Sequence, residues 1–360
     1  PSVCMSQSVG SFNLASGLQD AFLASSPVVA ITGKRPQHEQ LRNAYQEIDH
    51  TNLFSVSWIL GRFCNYKCSY CWPYANTDKP DYQELEIYKT SIDEIKKQAK
   101  ANGFDKFHFS FSGGEPTAYK GFLDLVNHYE DYESEYLSIH MTSNCSPAKK
   151  WWKKFLDVTE VMDRRSITAS FHAEFANEKE FGDKLLYLQD EGVLVTINQV
   201  MVPELWEEYY ARSKRFIKRG LHVTLKPQSD PTASYVVDGY TEEQKEILRT
   251  ESEQSVHQVS LKDVNGVEYS IDQAERLNAF GFNKFKGWEC NSGYQSCIIR
   301  NNEVKRSYSC HDTPLGTLTE GFSLFNTPMP CITPSCVSSA DSKIPKRKAV
   351  KYNNKVRNEN

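Results

Sequence analysis

The sequence lacks long hydrophobic runs, an excess of positive charge and an export signal. No apolar stretch in its 360 residues approaches the roughly 20 residues that a transmembrane helix needs. Its 42 Lys and Arg residues are outnumbered by 46 Asp and Glu residues, which gives a net charge of −4, whereas nucleic-acid-binding proteins usually carry a basic face. The first residues show no basic region followed by an apolar stretch. These absences predict a cytoplasmic protein whose partner is neither a membrane nor a nucleic acid.

The chain does contain enough apolar residues for a packed core, and it is rich in cysteine. Hydrophobic residues make up 39% and aromatic residues 12% of the sequence, as in folded domains. The length suits one large domain and a smaller one. The 10 cysteines are clustered along the chain. Such clustering favours metal ligation in a reducing compartment over a disulfide framework.

The tightest cysteine cluster is Cys64-Asn-Tyr-Lys-Cys68-Ser-Tyr-Cys71, with the spacing C-x3-C-x2-C. Three thiols so close together cannot form a disulfide framework, because one of them would be left over. Thiolates are the usual ligands of iron–sulfur clusters. Three of them on a [4Fe-4S] cluster leave one iron without a protein ligand, and a small molecule can coordinate there. The alternatives are a zinc knuckle and unrelated core cysteines.

A second motif follows an apolar strand-like run, where Phe109-Ser-Phe-Ser leads into Gly113-Gly114-Glu115-Pro116. This run resembles the GGEP motif of the radical S-adenosylmethionine (SAM) superfamily. The cysteine loop, with Tyr70 before its last cysteine, resembles the cluster loop of the same superfamily. The resemblance implies a [4Fe-4S] cluster, with SAM on its open iron, held by Cys64, Cys68 and Cys71.

From Leu53 onward, strand-like runs alternate with segments of helical periodicity. The predicted strands are Phe54–Leu60, Lys106–Phe111, Tyr136–Thr142, Ser166–Phe171, Val193–Val200 and Leu221–Lys226. The predicted helices between them are Gln83–Ala101, Tyr119–Tyr132, Pro147–Leu156, Glu178–Glu191 and Glu204–Arg219. This alternation predicts an α/β fold, a partial (β/α)6 TIM-like barrel over residues 51–228. Catalytic groups lie at the carboxyl ends of the strands in such barrels, where both motifs fall.

The resemblance and the predicted strand ends together indicate further contacts with SAM or the substrate. Gly113 and Gly114 have no Cβ, so the backbone can approach SAM closely, and Glu115 can accept a hydrogen bond from the SAM ammonium group. Tyr70 matches the family's aromatic position against the adenine, with ordinary packing as the alternative. The other cofactor-binding candidates are Pro116, Ser143, Asn144, Ser170 and Asn198. Candidates for a catalytic role are His172, Lys226 and Cys145, the last with a plain buried thiol as the alternative.

Residues 1–50 read differently from the rest of the chain. The stretches Gly10–Phe22, Ser26–Gly33 and Tyr45–His50 resemble part of the pyrimidine-binding domain of acetolactate-synthase-like thiamine diphosphate enzymes. That family's thiamine diphosphate–magnesium motif is absent, so thiamine binding is not predicted. We expect one helix (Leu14–Leu23) and one strand (Val28–Thr32), too little for an independent core. A remnant, a fusion scar and a misplaced gene start are the alternatives.

Beyond a connector of residues 229–285, the cysteines resume. The connector carries helical stretches at Thr241–Ser255 and Asp272–Phe280 and a hairpin turn at Asn265-Gly266. In residues 286–340, cysteines flank a hairpin with an Asn301-Asn302 turn, and a close pair of cysteines follows. This arrangement resembles the twitch, or SPASM-like, auxiliary domain of radical SAM enzymes. The resemblance implies a second [4Fe-4S] cluster, with a structural zinc site as the alternative, on Cys290, Cys310, Cys331 and Cys336. Cys297 starts an apolar strand and is interpreted as a core thiol.

The resemblance also implies a reaction. Reductive cleavage of SAM would give a 5′-deoxyadenosyl radical that abstracts hydrogen from a small-molecule substrate, such as a sugar, aminocyclitol or nucleotide derivative, with oxidation through the auxiliary cluster as one outcome. The alternatives are a peptide maturase and a non-catalytic metal-binding protein. We expect an electron donor such as flavodoxin or ferredoxin. The basic tail, residues 341–360, is expected to be disordered, with an anionic partner as the alternative.

Overall fold

A computed structural model describes residues 2–7, 28–33, 52–71, 77–128, 136–230, 236–250, 259–262, 268–271, 283–310, 313–336, 338, 341 and 344–347. The chain divides into two compact units, Pro1–Gln46 and Glu47–Asn360. In the first unit, β1 (Ser2–Gln7) and β2 (Val28–Gly33) pair in parallel. The strand expected at Val28–Thr32 is therefore present. The helix expected at Leu14–Leu23 lies outside the described residues.

The second unit is built on six parallel strands in sequential order. These are β3 (Leu53–Ile59), β4 (Lys106–Ser112), β5 (Leu137–Ser143), β6 (Arg164–Phe171), β7 (Leu194–Met201) and β8 (His222–Pro227). The helices are α1 (Leu85–Ala101), α2 (Phe122–Asn127), α3 (Lys149–Val158), α4 (Glu178–Asp190), α5 (Trp206–Lys218) and α6 (Glu242–Thr250). Short 3-10 turns stand at Pro116–Ala118 and Pro203–Leu205. The predicted partial (β/α)6 barrel is confirmed.

Aromatic side chains on the outer face of the sheet fix the strands against the helices. Alternate side chains of β3 face the helices, among them the fully buried Trp58. Trp58 stacks on Phe111 of β4 with ring centroids 5.9 Å apart and meets Tyr88 of α1 edge-on at 5.5 Å. Burying one such side chain contributes about 1.5–3 kcal/mol. The hydroxyl group of Tyr88 donates to the Leu60 carbonyl at 2.8 Å, which positions the chain just before the cysteine loop.

The sheet does not end at β3, which the sequence analysis did not predict. Strand β12 (Ser296–Arg300) pairs in parallel with β3, and β13 (Glu303–Lys305), β14 (Pro314–Thr317) and β15 (Gly321–Phe322) continue the sheet antiparallel. The cysteine-rich region thus covers the edge of the barrel. An uncovered edge strand would present unpaired backbone groups. Asn301 stands in the predicted turn with a φ of 55°.

Smaller elements complete the unit. Strands β9 (Val259–Lys262) and β10 (Glu268–Ile271) form the expected antiparallel hairpin, and β11 (Glu289–Cys290) pairs with β16 (Met329–Pro330) and β17 (Lys346–Arg347). The helix expected at Asp272–Phe280 lies outside the described residues, as does most of the tail at 341–360. In the described part of the chain, every helix is too short or too polar to cross a membrane.

Candidate active site

The cysteine loop follows β3 directly at the carboxyl end of the sheet. Cys64 and Cys68 are half-buried and Cys71 is exposed. Burial raises the pKa of the Cys64 thiol, and the nearby charges of Glu115 and Cys71 raise it further. Burial also raises the pKa of Cys68 to about 12, together with the charges of Glu174, Cys71 and Cys64. Because a charge on one of these thiols raises the pKa of another, the three thiols are neighbours. A positive charge beside them would favour their ionisation.

The donor set suits an iron–sulfur cluster better than a single ion. Across the described residues, no group of three His, Cys, Asp or Glu side chains converges tightly enough to hold one metal ion. In a [4Fe-4S] cluster each thiolate binds a different iron, so the sulfur atoms stand at separate corners and need not converge. Three neighbouring thiols on one loop are the kind of donor set that the cluster implied by the resemblance would need.

Side chains beyond β6 hold the cysteine loop across the barrel mouth. The carboxylate of Glu174 accepts hydrogen bonds from the Ser69 amide at 3.0 and 3.1 Å and from the Ser69 hydroxyl at 2.7 Å. The Tyr70 hydroxyl lies 2.9 Å from Nδ1 of His172, and the two rings stack with centroids 5.9 Å apart. Burial lowers the pKa of His172 to about 4. The imidazole is therefore neutral near pH 7 and orients Tyr70 without adding charge.

The GGEP loop lies directly against the chain that leads into the cysteine loop. The amide of Gly114 donates to the Gly61 carbonyl at 2.9 Å, and the amide of Glu115 donates to the Phe63 carbonyl at 2.8 Å. A Cβ on Gly113 would lie 2.2 Å from the Gly61 oxygen, and one on Gly114 would lie 2.1 Å from the Phe63 oxygen. Both glycines are thus required by backbone packing against this loop. The contact forms a cradle that a Cβ would fill.

Glu115 joins the GGEP loop to the end of β5. It is 2% exposed, and its Oε1 accepts hydrogen bonds from the Thr117 amide at 3.0 Å, the Thr117 hydroxyl at 2.6 Å and the Ser143 hydroxyl at 2.7 Å. Its Oε2 accepts from the Asn144 amide at 2.6 Å. Burial raises the pKa of Glu115, and these hydrogen bonds oppose the rise. The carboxylate thus holds two strand ends in a fixed relation, a role that the sequence analysis did not assign.

Asn144 connects this network to the cysteine loop. Its Nδ2 lies 3.8 Å from the Cys64 sulfur and donates to Oδ1 of Asn65 at 2.9 Å. The structure therefore brings Glu115, Ser143 and Asn144 together beside Cys64. Pro116 is buried and begins the 3-10 turn after Glu115. Four of the residues assigned to SAM from the sequence thus lie in one place.

The remaining candidates are distributed over the sheet. Ser170 and Asn198 are register partners on β6 and β7, and Lys226 of β8 lies opposite Val200. Cys145 is 1% exposed, and its Sγ lies 3.8 Å from the Ser143 carbonyl oxygen. A hydrogen-atom donor must reach the substrate, so this thiol would have to be uncovered first.

The inner face of the barrel carries polar residues that the sequence analysis missed. His140 bridges strands, with Nδ1 3.0 Å from the Ser110 hydroxyl and Nε2 2.9 Å from the Thr168 hydroxyl. Nδ1 of His108 lies 2.8 Å from the Ser138 hydroxyl. The alternation in Lys106–Ser112, where polar residues separate phenylalanines, was the available signal. A polar lumen of this kind suits a polar, hydroxylated ligand.

The C-terminal cysteines gather in a second place. Cys290, Cys331 and Cys336 form one buried cluster with Phe285. Burial raises the pKa of the Cys310 thiol, to which the charges of Cys290 and Cys331 add. The four residues assigned to the auxiliary cluster are therefore neighbours. Cys297 lies apart, in the main core on β12 opposite Val56.

Comparisons with known proteins agree with this geometry. Residues 58–250 match the radical SAM superfamily, and residues 1–53 match the thiamine pyrophosphate enzyme N-terminal TPP-binding domain. Curated relatives include S-adenosylmethionine-dependent nucleotide dehydratase RSAD2 from Siniperca chuatsi, 32% identical over 114 residues, and from Danio rerio, 30% identical over 118 residues. These alignments cover 30% and 31% of this chain and only 29% and 30% of the relatives.

Solved structures share the fold. Native anSMEcpe with bound AdoMet has a TM-score of 0.50 at 15% identity over 75% of this chain and 79% of that chain. The same protein with AdoMet and the Kp18Cys peptide has a TM-score of 0.51 at 16% identity, over the same shares of the two chains. The superfamily match spans more than half of the sequence. It begins at Trp58, near the end of β3, and includes the cysteine loop, the GGEP loop and the other five barrel strands. The chain belongs to the radical SAM superfamily and is an enzyme that uses SAM and a [4Fe-4S] cluster.

Proposed function

We propose that the enzyme abstracts a hydrogen atom from a polar small molecule, with a nucleotide derivative as the favoured class. The observation that carries this proposal is the polar inner face of the barrel, where hydroxyl and imidazole groups of β4, β5 and β6 form a hydrogen-bonded network. The similarity to nucleotide dehydratases, over 114 and 118 residues, supports the nucleotide class. Reduction of the bound cluster supplies the electron that cleaves SAM to a 5′-deoxyadenosyl radical.

The residues of the chain supply ligation and orientation. Cys64, Cys68 and Cys71 would hold the cluster. The GGEP backbone, fixed against Gly61 and Phe63, would face the amino acid part of SAM. Glu115 would position this loop and accept from the SAM ammonium group on Oε2, which already receives the Asn144 amide. Tyr70 would meet the adenine. Ser143, Ser170 and Asn198 would contact the ribose, the carboxylate or the substrate.

A second cluster on Cys290, Cys310, Cys331 and Cys336 forms part of the proposal. Their burial in one group supports it, and such a cluster can accept an electron from a substrate radical or hold the substrate. An electron donor such as flavodoxin or ferredoxin would reduce the SAM-binding cluster in the cytoplasm.

A peptide maturase is the second candidate function. A structure of the neighbour anSMEcpe contains a bound peptide, but a likeness at 16% identity concerns the fold alone. Lys226, at the carboxyl end of β8, would bind a carboxylate or phosphate of the substrate under either candidate function. The hypothesis of a non-catalytic metal-binding protein is no longer retained, because the chain belongs to a superfamily of enzymes.

Anaerobic reconstitution with iron and sulfide, followed by dithionite and SAM, tests the proposal. About eight irons per chain and release of 5′-deoxyadenosine are expected. A nucleotide pool, a sugar pool and a peptide library are then compared for stimulation of SAM cleavage and for deuterium transfer into 5′-deoxyadenosine. Transfer from a peptide alone would favour the second candidate. A Cys68→Ala protein that still cleaves SAM would contradict the assignment of the cluster.

A further inference from the structure

A cavity of about 270 Å³ opens where the barrel meets the cysteine-rich hairpin. Its walls come from the end of β3 and from the turn between β12 and β13, and they are formed by Ile59, Gly61, Arg62, Arg300, Asn301, Asn302 and Glu303. Arg300 is the register partner of Ile59, and Ile59 is the register partner of Ser112, the residue before Gly113. The Ile59 side chain is 3.3 Å from the position of a Cβ on Gly113. The cavity therefore borders the GGEP loop on the inner side of the sheet.

The charges around this cavity are unbalanced toward positive. The exposed guanidinium group of Arg300 has no hydrogen bond or ion pair in the part of the chain that the structure describes. Arg62 is partly neutralised, since its Nε lies 3.6 Å from Oδ2 of Asp81. The one acidic side chain in the wall, Glu303, is paired with Lys305 at 2.7 Å. An anion entering the cavity would thus meet one unpaired guanidinium group and no unpaired carboxylate of the wall.

The turn that carries Arg300 is fixed by the barrel. The Asn301 amide donates to the Ile59 carbonyl at 3.0 Å, and the Asn301 side chain accepts from Nε2 of Gln83 at 2.8 Å. Asn302 is held by Thr319 through bonds of 3.0 and 3.2 Å. A guanidinium group on a preorganised turn binds a phosphate or carboxylate with two parallel N–H bonds at a small entropic cost.

We infer that this cavity binds the anionic group, phosphate or carboxylate, of the substrate, with Arg300 as its principal ligand. The inference rests on the proposed function and narrows it to substrates that are both hydroxylated and anionic. The hydroxylated part faces the His140 network, and the anionic part faces Arg300. The auxiliary region then contributes a specificity-determining residue to the barrel, in addition to any cluster that it holds.

Titration calorimetry of the reconstituted enzyme, saturated with SAM, tests the inference with pyrophosphate and succinate as probes. Arg300→Ala is expected to weaken binding of the preferred probe by about tenfold or more, as for loss of a charge-assisted pair. Arg300→Lys keeps the positive charge but cannot form two parallel N–H bonds, and its affinity for the probe is expected to lie between those of wild type and Arg300→Ala. Arg347→Ala removes an exposed arginine outside the cavity and serves as the matched control. The tighter probe identifies phosphate or carboxylate.

Three outcomes would overturn the inference. One is the absence of binding of either probe to the wild-type enzyme, and another is equal binding to wild type and Arg300→Ala. The third is a loss of SAM affinity in Arg300→Ala that matches the loss for the probes, which would assign the cavity to the SAM carboxylate. A wild-type enzyme that binds pyrophosphate but releases no 5′-deoxyadenosine would contradict the proposed function alone.

Discussion

At the scale of single residues, the GGEP loop packs directly against the chain that leads into the cysteine loop. Gly114 has the carbonyl oxygens of Phe63 and Arg62 where a side chain would begin, at 2.1 and 2.4 Å. Both neighbours are backbone atoms and cannot turn away as a flexible side chain would. The separation between the GGEP loop and the chain that leads into the cysteine loop depends on this residue having no Cβ. In the proposed function, this separation would set the position of SAM relative to the cluster.

Gly114→Ala is expected to lower the rate of SAM cleavage by about a hundredfold, because a shift of about 1 Å at a reacting group has a cost of that order. It should also reduce the free energy of unfolding by about 1–3 kcal/mol through overpacking. Single-turnover release of 5′-deoxyadenosine and urea unfolding measure the two effects. Gly103→Ala is the control, since its Cβ would meet nothing within 4 Å although its φ is 89°. That variant should lose about 1–2 kcal/mol of stability and keep its cleavage rate.

Tyr70 provides a second test at this scale, because Tyr70→Phe removes only the hydroxyl group whereas Tyr70→Ala also removes the ring. Tyr70→Phe removes the hydrogen bond to His172, worth about 1 kcal/mol of stability, and keeps the ring. If the ring packs on adenine, Tyr70→Ala should weaken SAM binding by about tenfold, whereas Tyr70→Phe should weaken it by about threefold or less. Equal losses in the two variants, measured by equilibrium binding of SAM to the reconstituted enzyme, would refute the stacking role. Tyr66→Phe, whose ring stacks on Phe175, is the matched comparison.

At the scale of elements, helices α4 and α5 are joined by a bidentate ion pair on the outside of the barrel. Nε and Nη2 of Arg215 lie 2.7 and 2.6 Å from the two carboxylate oxygens of Glu178, and Nε of Arg212 lies 3.5 Å from Oε2. Hydrogen bonds from Arg215 hold the pKa of Glu178 below its ordinary value, assisted by the charges of both arginines. The pair connects two successive helices of the barrel.

Glu178→Gln is expected to reduce the free energy of unfolding by about 1 kcal/mol or less near pH 7. A carboxylate with a lowered pKa stabilises the folded state above its unfolded pKa, and this contribution disappears as the pH falls through the folded value. The difference in stability between wild type and Glu178→Gln should therefore shrink as the pH falls below the ordinary carboxyl range. Urea unfolding of wild type and Glu178→Gln between pH 3 and pH 7 measures this difference in stability. The same series for Glu180→Gln is the control. A difference that stays constant at low pH would contradict the ionic origin.

The barrel elements could be predicted from the sequence, because each strand and helix has its own periodicity and three of the helices have a local stop signal. Gly103, Gly192 and Gly220 end α1, α4 and α5 with φ of 89°, 86° and 86°. The union of β12 with β3 could not be predicted, since it joins Ser296 to Ser55 across most of the chain. The inner-face histidines were missed for the same reason: His140 becomes a bridge only when Ser110 and Thr168 lie on either side of it.

At the scale of the whole molecule, the two cysteine groups belong to one compact unit but have different surroundings. The first lies on a loop at the barrel mouth and is partly exposed, whereas the second is buried with Phe285. The core placement of Cys297 separates it from both groups. This difference gives a prediction about iron content that does not depend on the substrate.

Cys336→Ser is expected to hold about four irons after reconstitution and to retain SAM cleavage without substrate, because the first cluster is built from other residues. Cys297→Ser should hold about eight irons and lose stability through a buried hydroxyl. Iron and sulfide analysis of both variants beside wild type provides the measurement. A Cys297→Ser protein with about four irons would show that this thiol is a ligand.

The parallel joint between β3 and β12 has a consequence for how this enzyme can be divided. The strand that leads to the cysteine loop has a neighbour on each side only because residues 296–300 return to it from the far end of the sequence. A shortened gene product that stops before this return would leave one flank of β3 with unsatisfied amide and carbonyl groups, and it should self-associate through them. The barrel and the cysteine-rich region are thus expected to fold as one unit.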